Sequence, residues 1–319
     1  AALFIVDAVT GALAKTLQVQ GTETVSNGLS TPKLGDFNAD GVADYAYAGD
    51  LQGNMWRFDL MRERSGTSPI APFKRDDDGV AALDEFKVSY SGKPLFRALA
   101  TNGTSRQAIT SAPSLVRHPT GVGYLVIFGT GKFYETGDKD GDKSMAQTVY
   151  GIWDEETLGY TGSTPNISRS NLQVQTVTDT ISVTNGTDTR QGRLISSNDI
   201  RWKAAGGKPK QNGWYLNLVQ ADGEMVVENM AQLGRTVFFQ SLVPNDDPCG
   251  DGTSNWTYAI NPFTGGRTPQ NAFDYKPSTD IGSTNVSAIR QDGEGGTTIS
   301  QNSDGKFQLC TGQECANVY

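Results

Sequence analysis

The chain has 319 residues, with 35 Asp and Glu against 27 Lys and Arg, one histidine and a formal net charge of −8. Such acidity argues against phosphate-backbone (nucleic-acid) binding, which needs clustered Lys and Arg, and no apolar run approaches the roughly 20 residues of a membrane-spanning helix. A hydrophobic share of 36%, a mean hydropathy of −0.43 and 37 glycines among many Thr, Ser and Asn read as a polar, turn-rich, all-β globular protein.

In chain order, the first element is a strand with its turn, "FIVDAVTGAL" at 4–13. The chain opens on Ala1 rather than Met, in the middle of a strand, so it reads as a piece of a longer protein. Next come an acidic stretch at 35–44 and the strand "DYAYAGD" at 44–50, then "WRFDLMRERSG" at 56–66. "VAALDEF" at 80–86 is a helical turn or two at most, and long amphipathic helices are absent. Fully apolar or alternating strands follow at "GYLVIFGTG" (123–131), "YGIWDEETLG" (150–159), "GWYLNLV" (213–219), "RTVFFQSLV" (235–243) and "YAINPFTGGR" (258–267). Residues 161–213, sparse in aliphatics, read as a loop or hairpin insertion decorating a blade, and 275–319 as a tail without a clear assignment.

One local design recurs in these segments: an apolar strand, then Asp or Asn, then a short turn closing on Gly. The matched residues Asp7, Asp59, Asp154 and Asn261 are separated by 52, 95 and 107 positions, near one, two and two units of roughly 50 residues. Asp or Asn bonds its own turn backbone there, and Gly supplies positive φ. The period favours a β-propeller with irregular blades over an irregular sandwich. The tryptophans Trp56, Trp153, Trp202, Trp214 and Trp256 read as blade-core residues.

The stretch "GDFNADGVADYAYAGD" at 35–50 carries the strongest chemical signal. Against the calcium-loop pattern D-x-[DN]-x-D-G-x-x-D, Asp36 falls at position 1, Asn38 at 3, Asp40 at 5, Gly41 at 6, Val42 at 7 and Asp44 at 9. Alternate positions of a wound loop face one interior point, so the side chains of 36, 38 and 40 converge there. Val42 contributes its backbone carbonyl, and Gly41 takes the sharp turn. Oxygen-only donors with three carboxylates suit Ca2+ better than Mg2+. The twelfth position, a bidentate Glu in EF-hands, is Tyr47, so Asp44 closes the shell and the chain leaves as a strand. Two other acidic stretches fit less well. "KRDDDGVAALD" at 74–84 would put Lys74 at position 1 and reads as a solvated loop; "TGDKDGDKS" at 136–144 offers Asp138, Asp140 and Asp142 and reads as a polar turn, with a second, looser cation site as the alternative.

Of the three cysteines, Cys310 and Cys315 in "CTGQEC" are spaced to close a small disulfide loop suited to an oxidising compartment, the alternative being two free thiols; Cys249 is left without a partner. No catalytic constellation emerges, and the chain reads as a non-enzyme. His118, in "VRHPTG", reads as a surface histidine, and no G-x-S-x-G elbow occurs. "GTGK" at 129–132 lacks the rest of a Walker A motif, with Val126 and Phe133 where Gly and a hydroxyl are needed.

The segments "GDFNADGVADYAYAGDLQGNMWRFDL", "YLVIFGTGKFYETGD" and "VPNDDPCG…W…INPFTGG" resemble the C-terminal domain of PilY/PilC proteins, tip-associated adhesins and biogenesis factors of bacterial type IV pili. The resemblance runs through roughly 1–270 and implies a modified β-propeller with Ca2+ on the loop of Asp36, Asn38, Asp40, Val42 and Asp44. It further implies an exported protein of the periplasm, outer membrane, pilus tip or cell surface. Its implied partners are minor pilins, the pilus tip and host-cell surface molecules, and its implied role is control of pilus extension against retraction, twitching motility and adhesion. A quinoprotein (pyrroloquinoline quinone-dependent) dehydrogenase is the rival propeller, although those enzymes share an adjacent cysteine pair that this chain lacks. A secreted integrin-like binding propeller is the other, with sequons at Asn102, Asn166, Asn185, Asn255 and Asn285.

Overall fold

The computed structural model describes residues 1–21, 26–37, 39, 41–60, 83–135, 137–138, 145–155, 165, 167–244, 253–280, 282, 284–291, 297–311 and 314–319. Strands β1 (Ala2–Val6) and β2 (Leu13–Gln18) form a two-stranded sheet. Strands β3 (Lys33–Gly35), β4 (Tyr45–Gly49), β5 (Asn54–Asp59) and β6 (Lys87–Val88) form the next in sequence order, with β7 (Phe96–Arg97) also on β5. A third sheet contains β8 (Ser114–Arg117), β9 (Tyr124–Gly129), β10 (Thr148–Asp154) and β11 (Gln173–Gln175). After β12 (Val177–Asn185) and β13 (Asp188–Ile195), β14 (Gly213–Asn217) returns to that third sheet between β10 and β11, parallel to β11. The largest sheet takes β15 (Ala231–Leu233), β16 (Thr236–Pro244), β17 (Thr253–Ile260), β18 (Lys276–Pro277) and β19 (Ala288–Arg290), in the order β15-β16-β17-β19-β13-β12-β18. Strands β20 (Thr297–Gln301), β21 (Phe307–Thr311) and β22 (Glu314–Asn317) close the chain as a three-stranded sheet.

The sheets stack in series, and the period of two explains why inner strands are apolar throughout. Side chains alternate across a strand, so a sheet covered on both faces feeds two cores at once. On β4, Ala46 and Ala48 pack towards Leu17 and Val19 of the first hairpin, whereas Tyr45 and Tyr47 pack towards Tyr124, Val126 and Phe128 of β9. On β9 itself, Leu125 and Ile127 turn the other way, to Trp214, Val237, Phe239 and Trp256. On β16, Phe238 faces a fourth core that reaches Leu309 and Val318. Trp56, Trp153, Trp214 and Trp256 are all buried in these cores, and Trp202 packs at the edge of one. Close packing reaches the backbone at Gly151 on β10, where a Cβ would lie 2.3 Å from Trp214 Cε2.

The recurring acid serves two structural purposes. Asp7 and Asn261 cap their turns, with Asp7 Oδ1 accepting from Thr10 N at 2.7 Å and Asn261 Oδ1 from Phe263 N at 3.0 Å. Asp59 and Asp154 instead enter a buried charge cluster around Arg57. The guanidinium lies 3.0 Å from Asp59 Oδ1 and 3.0 Å from Asp154 Oδ2, and Asp154 also accepts from Tyr47 OH (2.7 Å) and Tyr90 OH (2.5 Å). Burial and the Asp154 charge push the Tyr47 phenol far up, so it stays a donor. Tyr90 and Ser91 hold left-handed backbone (φ 55° and 56°) to deliver that contact.

Residues 161–213, read as a loop or hairpin decorating a blade, contain the β12–β13 hairpin, and both its strands lie inside the largest sheet, β13 beside β19 and β12 beside β18. The tail supplies β18 to β22, with a Cys310–Cys315 disulfide across β21 and β22. Cys249 lies outside the described residues. His118 departs from the expectation of a surface residue: it is 2% exposed. Its ring stacks on Trp153 (centroids 3.9 Å apart) and meets Trp202 edge-on at 4.3 Å, while Nδ1 accepts from Thr120 N at 3.2 Å. The covering aromatics come from distant segments, which local sequence does not reveal.

Two stability predictions follow from these buried groups. Asp154→Asn leaves Arg57 short of a charge inside a core, and is expected to cost about 3 kcal/mol or more in chemical denaturation. Burial pushes the His118 imidazole from 6.5 down to about 4. Below its ordinary pKa the unfolded chain therefore binds a proton that the folded chain refuses, and stability falls as pH falls. From about pH 7.5 to about pH 5 this contributes a loss of about 1 to 2 kcal/mol, and the pH slope of urea midpoints should flatten in His118→Phe, which keeps the stacking.

Candidate metal centre

The 36–44 loop closes the β3–β4 hairpin, where Gly35 pairs with Tyr45 and Asp44 N–H donates to the Gly35 carbonyl at 2.9 Å. Asp36 turns back over the loop, its Oδ1 accepting from Ala39 N at 2.7 Å and its Oδ2 from Gly41 N at 2.8 Å. Those bonds need a tightly wound backbone, and Ala39 (φ 61°) and Gly41 (φ 89°) both adopt left-handed angles. At the other end, Asp44 is 1% exposed and its Oδ2 accepts from Phe37 N at 2.6 Å. Val42 presents its side chain to solvent. Asn38 and Asp40 lie outside the described residues, and among the described residues no three His, Cys, Asp or Glu side chains gather as a metal cluster.

The described residues fit a hard cation in their chemistry. Two carboxylates sit at the first and last positions of one wound loop, each braced by loop N–H groups. A carboxylate has about four lone-pair sites, and each oxygen of Asp36 accepts a loop N–H. Asp36, Asp44 and the Val42 carbonyl offer only oxygen, the donor type that Ca2+ selects. The loop is also tied to the neighbouring sheet. Phe37 is buried edge-on against Tyr124 (5.4 Å), and Arg117 stands over the Phe37 ring at 4.8 Å while donating to its carbonyl.

In the second of the weaker acidic stretches, Asp138 is already engaged. Asp138 Oδ2 accepts from Tyr134 N (2.8 Å) and Glu135 N (2.9 Å), and Lys132 Nζ lies 3.2 Å from Oδ1. Although burial opposes it, these bonds hold the Asp138 carboxyl below its usual range. Asp138 thus caps a turn; Asp140 and Asp142, and all of 74–82, lie outside the described residues. Lys132 of "GTGK" is taken up by Glu135 (3.1 Å) and Asp138, as befits the end of a strand.

Sequence reasoning missed the buried ion pairs. Besides Arg57, Arg193 on β13 pairs with Glu224 at 2.6 Å, beneath Tyr258 OH and Ser241 Oγ, and its guanidinium lies 3.8 Å from the Trp256 ring. The available signal was an arginine inside an otherwise apolar strand, "NMWRFD".

Comparison with known proteins bears on the same region. A family model described as the PilY1 beta-propeller domain matches residues 1–187, which includes the whole 36–44 loop. Type IV pilus biogenesis factor PilY1 of Pseudomonas aeruginosa is 47% identical over 332 residues, covering 100% of this chain and 28% of that protein. A PilY1 homolog of Xylella fastidiosa is 28% identical over 281 residues, covering 83% of this chain and 17% of its own. This chain therefore spans under a third of the curated relatives' length. The crystal structure of the P. aeruginosa PilY1 C-terminal domain superposes with a TM-score of 0.89 at 45% identity, over 100% of this chain and 66% of that one. The serial stack of sheets is thus an irregular β-propeller, and the chain belongs to the PilY1 β-propeller domain family.

Proposed function

We propose that this chain is the calcium-binding propeller of a type IV pilus biogenesis factor. Ca2+ occupancy of the 36–44 loop would set pilus extension against retraction, and with it twitching motility and surface adhesion. The observation that carries the reading is the loop itself: Asp36 and Asp44 folded onto its backbone from opposite ends, around a left-handed Gly41. In this reading Asp36, Asn38, Asp40, the Val42 carbonyl and Asp44 hold the ion, and its charge offsets the mutual repulsion of three carboxylates. Because Asp44 anchors Phe37 N–H, and Phe37 packs on Tyr124, an ordered loop also fixes the joint between two blades. The relatives' name supports the pilus role, and the part played is binding rather than catalysis. Minor pilins, the pilus tip and host-cell surface molecules are the partners in this reading. Export to the periplasm, outer membrane, pilus tip or cell surface suits the Cys310–Cys315 disulfide.

Calorimetry tests the metal directly. The wild-type chain is expected to bind one Ca2+ with Kd of about 1 to tens of μM, and to unfold at higher temperature as calcium rises. Asp44→Asn, close to isosteric, and Asp36→Ala should each weaken binding by about 100-fold, the scale of losing a carboxylate ligand. Equal binding by both variants would remove the site. A deletion strain complemented with the full-length protein carrying the Asp44 substitution checks the second half of the reading, since unchanged twitching rejects a regulatory role for the ion.

A further inference from the structure

A second charged feature lies on the same sheet, at the other end of β5. Here a pocket of about 470 Å³ opens beside β7, and Lys93, Arg97 and Arg106 all line it. Arg97 pairs with Asn54 across the β5–β7 ladder, and its Nε donates to Asn54 Oδ1 at 3.1 Å. The chain then turns at 98–107, closed by Gln107 N–H to the Ala98 carbonyl (3.1 Å) and Ala100 N–H to the Ser105 carbonyl (2.9 Å). That turn returns Arg106 beside Arg97, and burial together with the Arg106 charge holds Arg97 below its ordinary value. Two guanidinium groups are thus kept together against their own repulsion.

These three cations gather on one pocket without a carboxylate partner among the described residues. Arg57, Lys132, Arg190, Arg193 and Lys210 each form an ion pair, whereas Lys93, Arg97 and Arg106 form none among the described residues. The nearby carboxylate, Asp50, is fully buried and already accepts from Gln52 N, Asn54 N, Asn54 Nδ2 and Trp56 Nε1, all at 2.8–2.9 Å. Four donors exhaust its lone pairs, so it stabilises the strand turn and does not pair with either arginine; Arg106 Nη1 donates instead to the Gln52 carbonyl at 3.3 Å.

We propose that this pocket binds the carboxylate side chains of an acidic peptide segment. Paired guanidinium groups match carboxylates bidentately, in the geometry that makes Arg the residue of choice for such recognition. The remaining lining favours a peptide over a bare anion. Gln20 places an amide in the same pocket, where a peptide backbone can bond to it, while Pro94 and Ile167 supply an apolar wall. An inorganic ion would use neither. The volume falls within the range of about 300–1,000 Å³ typical of ligand pockets.

Fluorescence anisotropy with a labelled Gly-Asp-Leu-Glu-Gly peptide and the 319-residue chain tests this, with the Asn/Gln version of the peptide and inorganic phosphate as competitors. The acidic peptide should bind about tenfold or more tightly than its amide version, and Arg97→Gln and Arg106→Gln should each weaken it by about tenfold, the scale of a lost charge-assisted hydrogen bond. Both arginines are largely exposed, with the Arg97 bond to Asn54 partly buried, so melting temperatures should move little. Equal affinity for the two peptides, or full binding by the double Arg97→Gln/Arg106→Gln variant, overturns the proposal. Displacement by phosphate at concentrations no higher than the peptide's also overturns it, assigning the pocket to small oxyanions instead.

Discussion

Burial of the inner sheets on both faces constrains almost everything else in this molecule. An inner blade strand has no solvent side, so Tyr47 and Ala48 of β4, or Ile127 and Phe128 of β9, must satisfy different cores one residue apart. A polar group that enters such a strand must bring its partners with it, because an unpaired buried charge costs several kcal/mol. Arg57 follows that rule. It reaches from β5 towards the next sheet, where Asp154 of β10 meets it and Tyr47 and Tyr90 complete the carboxylate's bonds. Arg193 and Glu224 repeat the solution in the following core. These pairs add little net energy over apolar residues, but each is satisfied only in one register, and a slip of one residue on β5 would point Arg57 into the wrong core.

The loop at 36–44 sits where this constraint relaxes. Beyond Gly35 and Tyr45 the ladder ends, backbone groups are released from the sheet, and side-chain oxygens take them up. Asp44 is the junction: its backbone still belongs to the hairpin, through N–H to Gly35 and C=O to Leu60, while its carboxylate holds Phe37. The same residue therefore reports on the loop and on the joint with the second blade, as a metal-dependent element of a propeller rim would need to do.

The strand content and the loop were legible in the sequence for one shared reason: both are written in local patterns. Apolar runs such as "YLVIFG" announce doubly buried strands, and the alternating oxygens of Asp36 to Asp44 around Gly41 announce a wound acidic loop. The β12–β13 hairpin was harder. Its Thr-rich segment "VTDTISVTN" is a good β-former with a polar face, but its partners β18 and β19 lie about a hundred residues away, so its place in the largest sheet is a tertiary fact. His118 was misread for the same reason, since Trp153 and Trp202 bury it from outside its own loop. The equivalence of Asp59 and Asp154 with the turn caps Asp7 and Asn261 is visible as spacing, whereas their recruitment by Arg57 is not.

Antiparallel pairing also decides how the two charged regions of the first five-stranded sheet relate. Tyr45 lies opposite Asp59 and Gly49 opposite Met55, so the acidic loop leads into one end of the β4–β5 ladder and the arginine pocket stands at the other. Five residues at about 3.3 Å each separate them by roughly 17 Å, well beyond the screening length of about 8 Å at physiological salt. The strands between them are buried on both faces, and close-packed interiors resist a shift from one end to the other. Coupling between distant sites needs a bistable element. In the proposed reading, an ion in the loop would act sideways, through Phe37 and Tyr124 onto the next blade, and would leave the pocket's affinity for carboxylates unchanged. A propeller rim built this way would keep the two proposed recognitions independent on one sheet.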